Sequence, residues 1–167
     1  GTAPNQVVTL NDCKASKNGL TDGQSHNFYF NNGTVRVAVK NLTTTQPTNG
    51  HAFKSRAWGL SWDGGTVDSA TGSPIDLPNG TAAEFSITNV VMNKGVGDIN
   101  HNLFSYAEEN TTNGAAGGTV SGGTINALCN NPFTQVGAGK VNFSGVTWTG
   151  NRPVVNQGAG TVPGLPP

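Results

Sequence analysis

The sequence is poor in the residues that build helices. Of 167 residues one is methionine, and Leu, Glu and Lys are sparse beside Gly, Asn, Thr and Val. Straight-chain residues lose little rotamer freedom in a helix, so their scarcity argues against a helical bundle. Charge is equally scarce. Only 11% of residues are charged, nine basic against nine acidic, for a formal net charge of zero. Phosphate backbones are held by clustered Lys and Arg. The basic residues here are scattered from Lys14 to Arg152, which argues against a nucleic-acid partner. No apolar run is long enough to cross a bilayer as a helix. A chain with so little charge stays soluble through Asn, Ser, Thr and Gly, or lives in an assembly.

Cysteine is limited to Cys13 and Cys129. An even count in a low-charge, Asn/Thr/Gly-rich chain predicts a disulfide between them and an extracellular or cell-surface location. The chain starts at Gly1 without a signal segment, as a mature secreted product would.

What is abundant points to strands and turns. Asn-Gly falls at Asn18, Asn32, Asn49, Asn79 and Asn113, and Asp-Gly at Asp22 and Asp63. These dipeptides accept positive φ cheaply, as two-residue hairpins require. Between them apolar residues alternate: Phe28 and Phe30; Val35, Val37 and Val39; Trp58, Leu60 and Trp62; Ala83, Phe85 and Ile87. Shorter strands are expected over Val7–Leu10, Leu103–Ala107, Val141–Phe143 and Val146–Trp148. Asn27–Lys40 reads as a hairpin turning at Asn32-Gly33, and Thr124–Leu128 as a helical turn or a strand ending at Cys129. No internal repeat is visible. The expected fold is therefore all-β. It is a single-domain antiparallel β-sandwich, Greek-key or jelly-roll-like, over residues 1–155, with an extended Gly/Pro-rich tail over 156–167.

Catalytic patterns are missing. His26, His51 and His101 form no metal-binding spacing, and no Gly-x-Ser-x-Gly elbow occurs. Glu108 and Glu109 are adjacent, so on a strand they face opposite sides and make a poor acid–base pair. Glu84 could form such a pair only with a distant Asp. Asp63, Asp68 and Asp76 lack the spacing of a calcium loop and read as turn residues. No cofactor or metal is expected, and the chain reads as non-enzymatic. Sequons at Asn32, Asn41, Asn79, Asn110 and Asn142 are no more numerous than such a composition produces by chance.

Two functional readings follow. In the first the protein is a structural subunit of a pilus-like filament or surface assembly. It self-associates through strand or arm exchange by Val7, Val8 and Leu10 at one end and by the tail, with Pro163, Pro166 and Pro167, at the other. In the second it is a carbohydrate-binding module or adhesin recognition domain, with Tyr29, Trp62, Tyr106 and Trp148 as candidate stacking rings.

Overall fold

The computed structural model describes residues 4–17, 26–45, 49–96, 101–109 and 116–167. The all-β expectation holds and no helix occurs among them, but the sandwich does not. Every strand pairing is parallel, and the chain winds into a β-solenoid of about five turns. Three columns of stacked strands form its sides. The first holds β1 (Val7–Asn11), the leading half of β4 (Arg36–Thr45), the leading half of β6 (Gly59–Ser69), β8 (Phe85–Thr88), β11 (Gly118–Ser121) and β14 (Val141–Ser144). The second holds β2 (Lys14–Ser16), the trailing halves of β4 and β6, β9 (Val91–Lys94), β12 (Thr124–Ala127) and β15 (Thr147–Gly150). The third holds β3 (Phe28–Phe30), β5 (Phe53–Ser55), β7 (Ile75–Leu77), β10 (Asn102–Tyr106), β13 (Phe133–Val136) and β16 (Val155–Asn156).

The alternation read from the sequence is correct, and its inward residues stack coil on coil. In one file Val39, Trp62, Ile87, Val120 and Phe143 lie in register, all buried. A neighbouring file runs Val37 and Leu60, then Phe85, Gly118 and Val141, its four apolar side chains buried. The third column adds Phe53, Ile75, Leu77, Phe104 and Tyr106 to the same core. The expected hairpin at Asn32-Gly33 is absent. β3 pairs with β5 and β4 with β6, each one coil onward, so the Asn-Gly turns at Asn32, Asn49 and Asn79 carry the chain round corners instead of reversing it; those at Asn18 and Asn113 lie outside the described residues. Asn32 still makes a turn, its Oδ1 accepting from the Thr34 amide at 2.9 Å.

The corner between the first and second columns has one recurrent device. Asp12, Asn41, Gly64, Asn89, Gly122 and Gly145 occupy it in successive coils, and all have positive φ, from 51° to 73°. Asn, Asp and Gly are the residues that tolerate this region. Neighbouring coils are tied there, with Asn41 Nδ2 donating to Asp12 Oδ1 at 3.1 Å and Asn89 Nδ2 to Asp63 Oδ1 at 3.0 Å.

The disulfide is also overturned. Cys13 and Cys129 are not joined in a disulfide. Cys13 sits in the first coil and Cys129 after β12 in the fifth, so four strand spacings of about 4.8 Å, roughly 19 Å, separate their levels. A disulfide needs Cα atoms within about 7 Å. The melting temperature is therefore expected to be the same with and without reductant, measured by differential scanning fluorimetry.

The C-terminal tail is not a free arm. The Val141 amide donates to Thr161 O at 3.0 Å and the Phe143 amide to Pro163 O at 2.9 Å, so residues 161–163 lie on β14 as the start of another coil. Val162 and Leu165 pack against the core, and Pro166 is buried.

Candidate functional site

A solenoid strand shows every second residue to solvent, and in the third column those positions are not simple surface. Tyr29, Lys54, Asp76, Ser105 and Gln135 stack there in register. Lys54 is 8% exposed, and Asp76 and Ser105 are fully buried. The left-handed turn at Ala107 (φ 54°) carries Glu108 and Glu109 back across this face, where the Glu109 amide donates to Pro78 O at 3.0 Å. His26 and His51, from the strand approaches in neighbouring coils, close one side with ring centroids 5.1 Å apart.

The Lys54 ammonium lies at the centre. Its Nζ is 3.0 Å from Asp76 Oδ2 and 3.1 Å from Glu109 Oε1. Arg56 reaches the other Glu109 oxygen and the Tyr29 hydroxyl, with its guanidinium carbon 5.5 Å from the Tyr29 ring centroid. His51 Nδ1 accepts from the Ser73 amide at 2.9 Å, and His26 Nδ1 from the His51 amide at 2.9 Å. A ring nitrogen that accepts a backbone N–H is unprotonated, so both imidazoles are neutral with the proton on Nε2. His51 Nε2 lies 3.3 Å from Asp76 Oδ2. Neither Asp76 oxygen accepts a well-directed hydrogen bond among the described groups; its partners hold it by charge and proximity.

The electrostatics follow from burial. Desolvation, then the Lys54 charge, lowers His51 to about 4. Desolvation, then His51, lowers His26 to about 4. Burial, then the Asp76 charge, raises Glu108 to about 7. Burial pushes Asp76 above the ordinary carboxylate range against the pull of Lys54. Burial would do the same to Glu109, but hydrogen bonds from Arg56 and Lys54 outweigh it and hold that carboxyl low. The pair Glu108 and Glu109, side by side in sequence, thus differ in protonation near neutrality.

Stability should depend on pH in a defined way. Between about 4 and 6.5 the unfolded chain binds the protons that His26 and His51 refuse in the fold, so stability rises with pH there. Glu108 binds its proton more tightly folded than unfolded, which lowers stability as pH rises from 4.5 through about 7. Below 6.5 the two histidines, each shifted to about 4, outweigh Glu108 and the lesser upward shifts of Asp76 and Asp68, and Glu108 still titrates above it. Maximum stability is expected near neutrality or just below. His51→Gln should remove on the order of 2–3 kcal/mol of the acid-side loss. Glu108→Gln should raise the melting temperature far more at pH 8 than at pH 5; the same shift at both would remove Glu108 from this account.

Of the four aromatics named from the sequence, one belongs to this site. Tyr29 is 44% exposed and is the most open aromatic among the described residues. Trp62 is core, with its Nε1 donating to Gly64 O at 2.8 Å and its ring 4.8 Å from Phe53. Tyr106 is buried, its hydroxyl accepting from the Gly117 amide at 2.9 Å. Trp148 packs on Phe143, ring centroids 5.3 Å apart. His101 lies apart from the other two histidines, and Glu84 is exposed on the first column. Asp63 and Asp68 are strand residues of β6, not turn residues, and Asp76 belongs to β7. Among the described residues no group of His, Cys, Asp or Glu could hold a metal. Lys54 and Arg56 were not legible as site residues. One weak signal existed: His26 and Tyr29 recur as His51 and Lys54 at the same step along the chain.

Surface depressions of about 190 and 260 Å³ lie on the first column, one lined by Lys40, Trp62 and Asp63, the other by Arg36, Leu60 and Glu84. They are open and gather no comparable set of titratable groups. No described helix is long and apolar enough to cross a membrane. No family model, curated protein or solved structure matches the chain.

Proposed function

We propose that the protein is a carbohydrate-binding module whose site is the third-column cluster. The supporting observation is a face dense in donors and acceptors but balanced in charge, with an open aromatic ring at its edge. Lys54 and Arg56 offset Asp76 and Glu109, and both imidazoles of His26 and His51 are neutral. A balanced set of polar groups favours a neutral polyhydroxyl ligand over an anion or a cation, and Tyr29 offers a ring face for the apolar side of a sugar. Two salt-bridged residues buried on an outward face are costly as pure architecture, which supports a role beyond it.

A glycan array followed by calorimetry tests this. Binding of a neutral glycan is expected, weakened at least tenfold by Tyr29→Ala and by Arg56→Ala with the fold intact by circular dichroism. No bound glycan, or binding that both variants retain, overturns the reading.

The filament reading keeps support at one end of the solenoid. Val7 and Val8 are 54% and 37% exposed on β1, whereas the tail expected to reach a neighbour lies on its own chain at β14.

A further inference from the structure

Asn-Gly is a reactive dipeptide as well as a turn former. The backbone nitrogen that follows an asparagine can attack the side-chain amide carbon, and glycine leaves that nitrogen unshielded because it has no Cβ. Three Asn-Gly pairs lie among the described residues, at Asn32, Asn49 and Asn79, and the fold treats them differently. Gly50 and Gly80 are buried, and the Gly80 amide donates to Leu77 O at 2.9 Å. A nitrogen held in this way must give up its hydrogen bond and meet base inside the protein before it can attack. Asn32 and Gly33 are both exposed, and among the described residues no hydrogen bond holds the Gly33 amide.

The carbon under attack is prepared as well. Asn32 Oδ1 accepts from the Thr34 amide at 2.9 Å and from the Thr34 hydroxyl at 2.7 Å. Attack on Cγ moves negative charge onto that oxygen. Two donors already at this distance stabilise the charge as it develops, as an oxyanion hole does. The corresponding oxygen of Asn79 has a longer contact, from Arg56 Nε at 3.4 Å, and its carbonyl is polarised less through it.

We propose that Asn32-Gly33 is a self-modifying site, at which the folded turn converts Asn32 to an aspartyl or isoaspartyl residue with Thr34 as its oxyanion hole. Water is the only co-reactant. Solvent base takes the Gly33 amide proton, and the nitrogen forms a bond to Cγ. The Cγ–Nδ2 bond then breaks, and Nδ2 takes a proton from water and leaves as ammonia. Water opens the resulting five-membered imide at either carbonyl. One opening gives aspartate at position 32 with the normal peptide link, the other the isomer linked through its side chain. Either product adds one negative charge to a chain of formal charge zero. The charge falls at the corner between β3 and β4, next to the point where Phe30 O accepts from the Arg56 amide at 2.7 Å. The proposal is independent of the glycan reading.

The test incubates the folded full chain, made in a host that adds no glycans, at mildly alkaline pH. Peptide mapping by mass spectrometry follows the amide-to-acid conversion at each asparagine over time. Asn32 is expected to convert at least tenfold faster than Asn79. Thr34→Val keeps the side-chain shape and the backbone donor but removes the hydroxyl, and should slow conversion at Asn32 roughly tenfold. Thr34→Ser should keep the parent rate. In urea the difference between Asn32 and Asn79 should vanish. A slow Asn79 in each variant, with an unchanged circular dichroism spectrum, reports that the fold is intact. If the Thr34 hydrogen bonds only stiffened the turn, Thr34→Val would leave the rate at Asn32 unchanged or raise it, and either result overturns the proposal. Equal rates at Asn32 and Asn79 in the folded chain, or a difference that persists in urea, would overturn it too.

Discussion

Lys54→Met is expected to destabilise the protein by about 3–5 kcal/mol at pH 7, the range for removing one member of a buried ion pair. The size of the effect comes from what remains. Asp76 is fully buried, and its Oδ2 lies 3.0 Å from Lys54 Nζ and 3.3 Å from His51 Nε2. Without the ammonium the buried carboxylate is left beside a neutral imidazole, and it must protonate or pull the coils apart. The loss should therefore shrink on going to pH 5, where protonation is cheaper. Asp76→Leu should cost less, because Lys54 keeps Glu109, 45% exposed at its side chain and 3.1 Å away. The double variant Lys54→Met/Asp76→Leu should recover much of the stability, since an apolar pair of similar volume has no desolvation penalty. Urea melts of the four proteins measure the coupling. Additive losses would show that the two side chains do not act as a pair.

The second large effect is at a corner. Gly65 has φ +103°, and a Cβ built on it would lie 2.1 Å from Leu42 O, a backbone atom of the neighbouring coil. Gly65→Ala cannot be relieved by a side-chain rotation. It must break the stacking of β4 on β6, the most extensive pairing among the described residues. A loss of about 4 kcal/mol or more, or failure to fold, is expected. Gly145 is the matched control. Its φ is +62° and nothing lies within 4 Å of its ideal Cβ. Gly145→Ala isolates the backbone cost and should destabilise by only about 1 kcal/mol. Equal losses at the two positions would mean that the contact with Leu42 is unimportant.

The strands were legible and their partners were not. Val37 and Val39, or Phe85 and Ile87, alternate with polar residues because one face is buried and the other is wet. That pattern is the same whether the neighbouring strand runs parallel or antiparallel. Asn32-Gly33 and Asn49-Gly50 suggested reversals because the dipeptide marks positive φ, and Gly50 has it at 103°; a solenoid corner uses the same local geometry to turn the chain sideways. The repeat was hidden by uneven coils. Arg36 stacks on Gly59, Ser61 on Ser86, Ser86 on Thr119 and Thr119 on Asn142, steps of 23, 25, 33 and 23 residues, so no fixed period shows in the sequence. The site was obscured for the same reason. Tyr29, Lys54 and Asp76 become neighbours only through coil register, and the judgement that Glu108 and Glu109 face apart assumed a strand that Ala107 ends.

The parallel winding also governs how the protein comes apart. Each coil is held only by the coils directly before and after it, so its unfolding resembles the fraying of a stack more than the collapse of one core. Among the described residues the coil that carries β1, β2 and Tyr29 pairs with one neighbouring coil instead of two. Its amides should exchange with solvent at a lower opening free energy than those of β6, which is bonded on both sides. The aromatic edge of the site could thus be lost while the buried Lys54–Asp76 pair, one and two coils further in, stays formed.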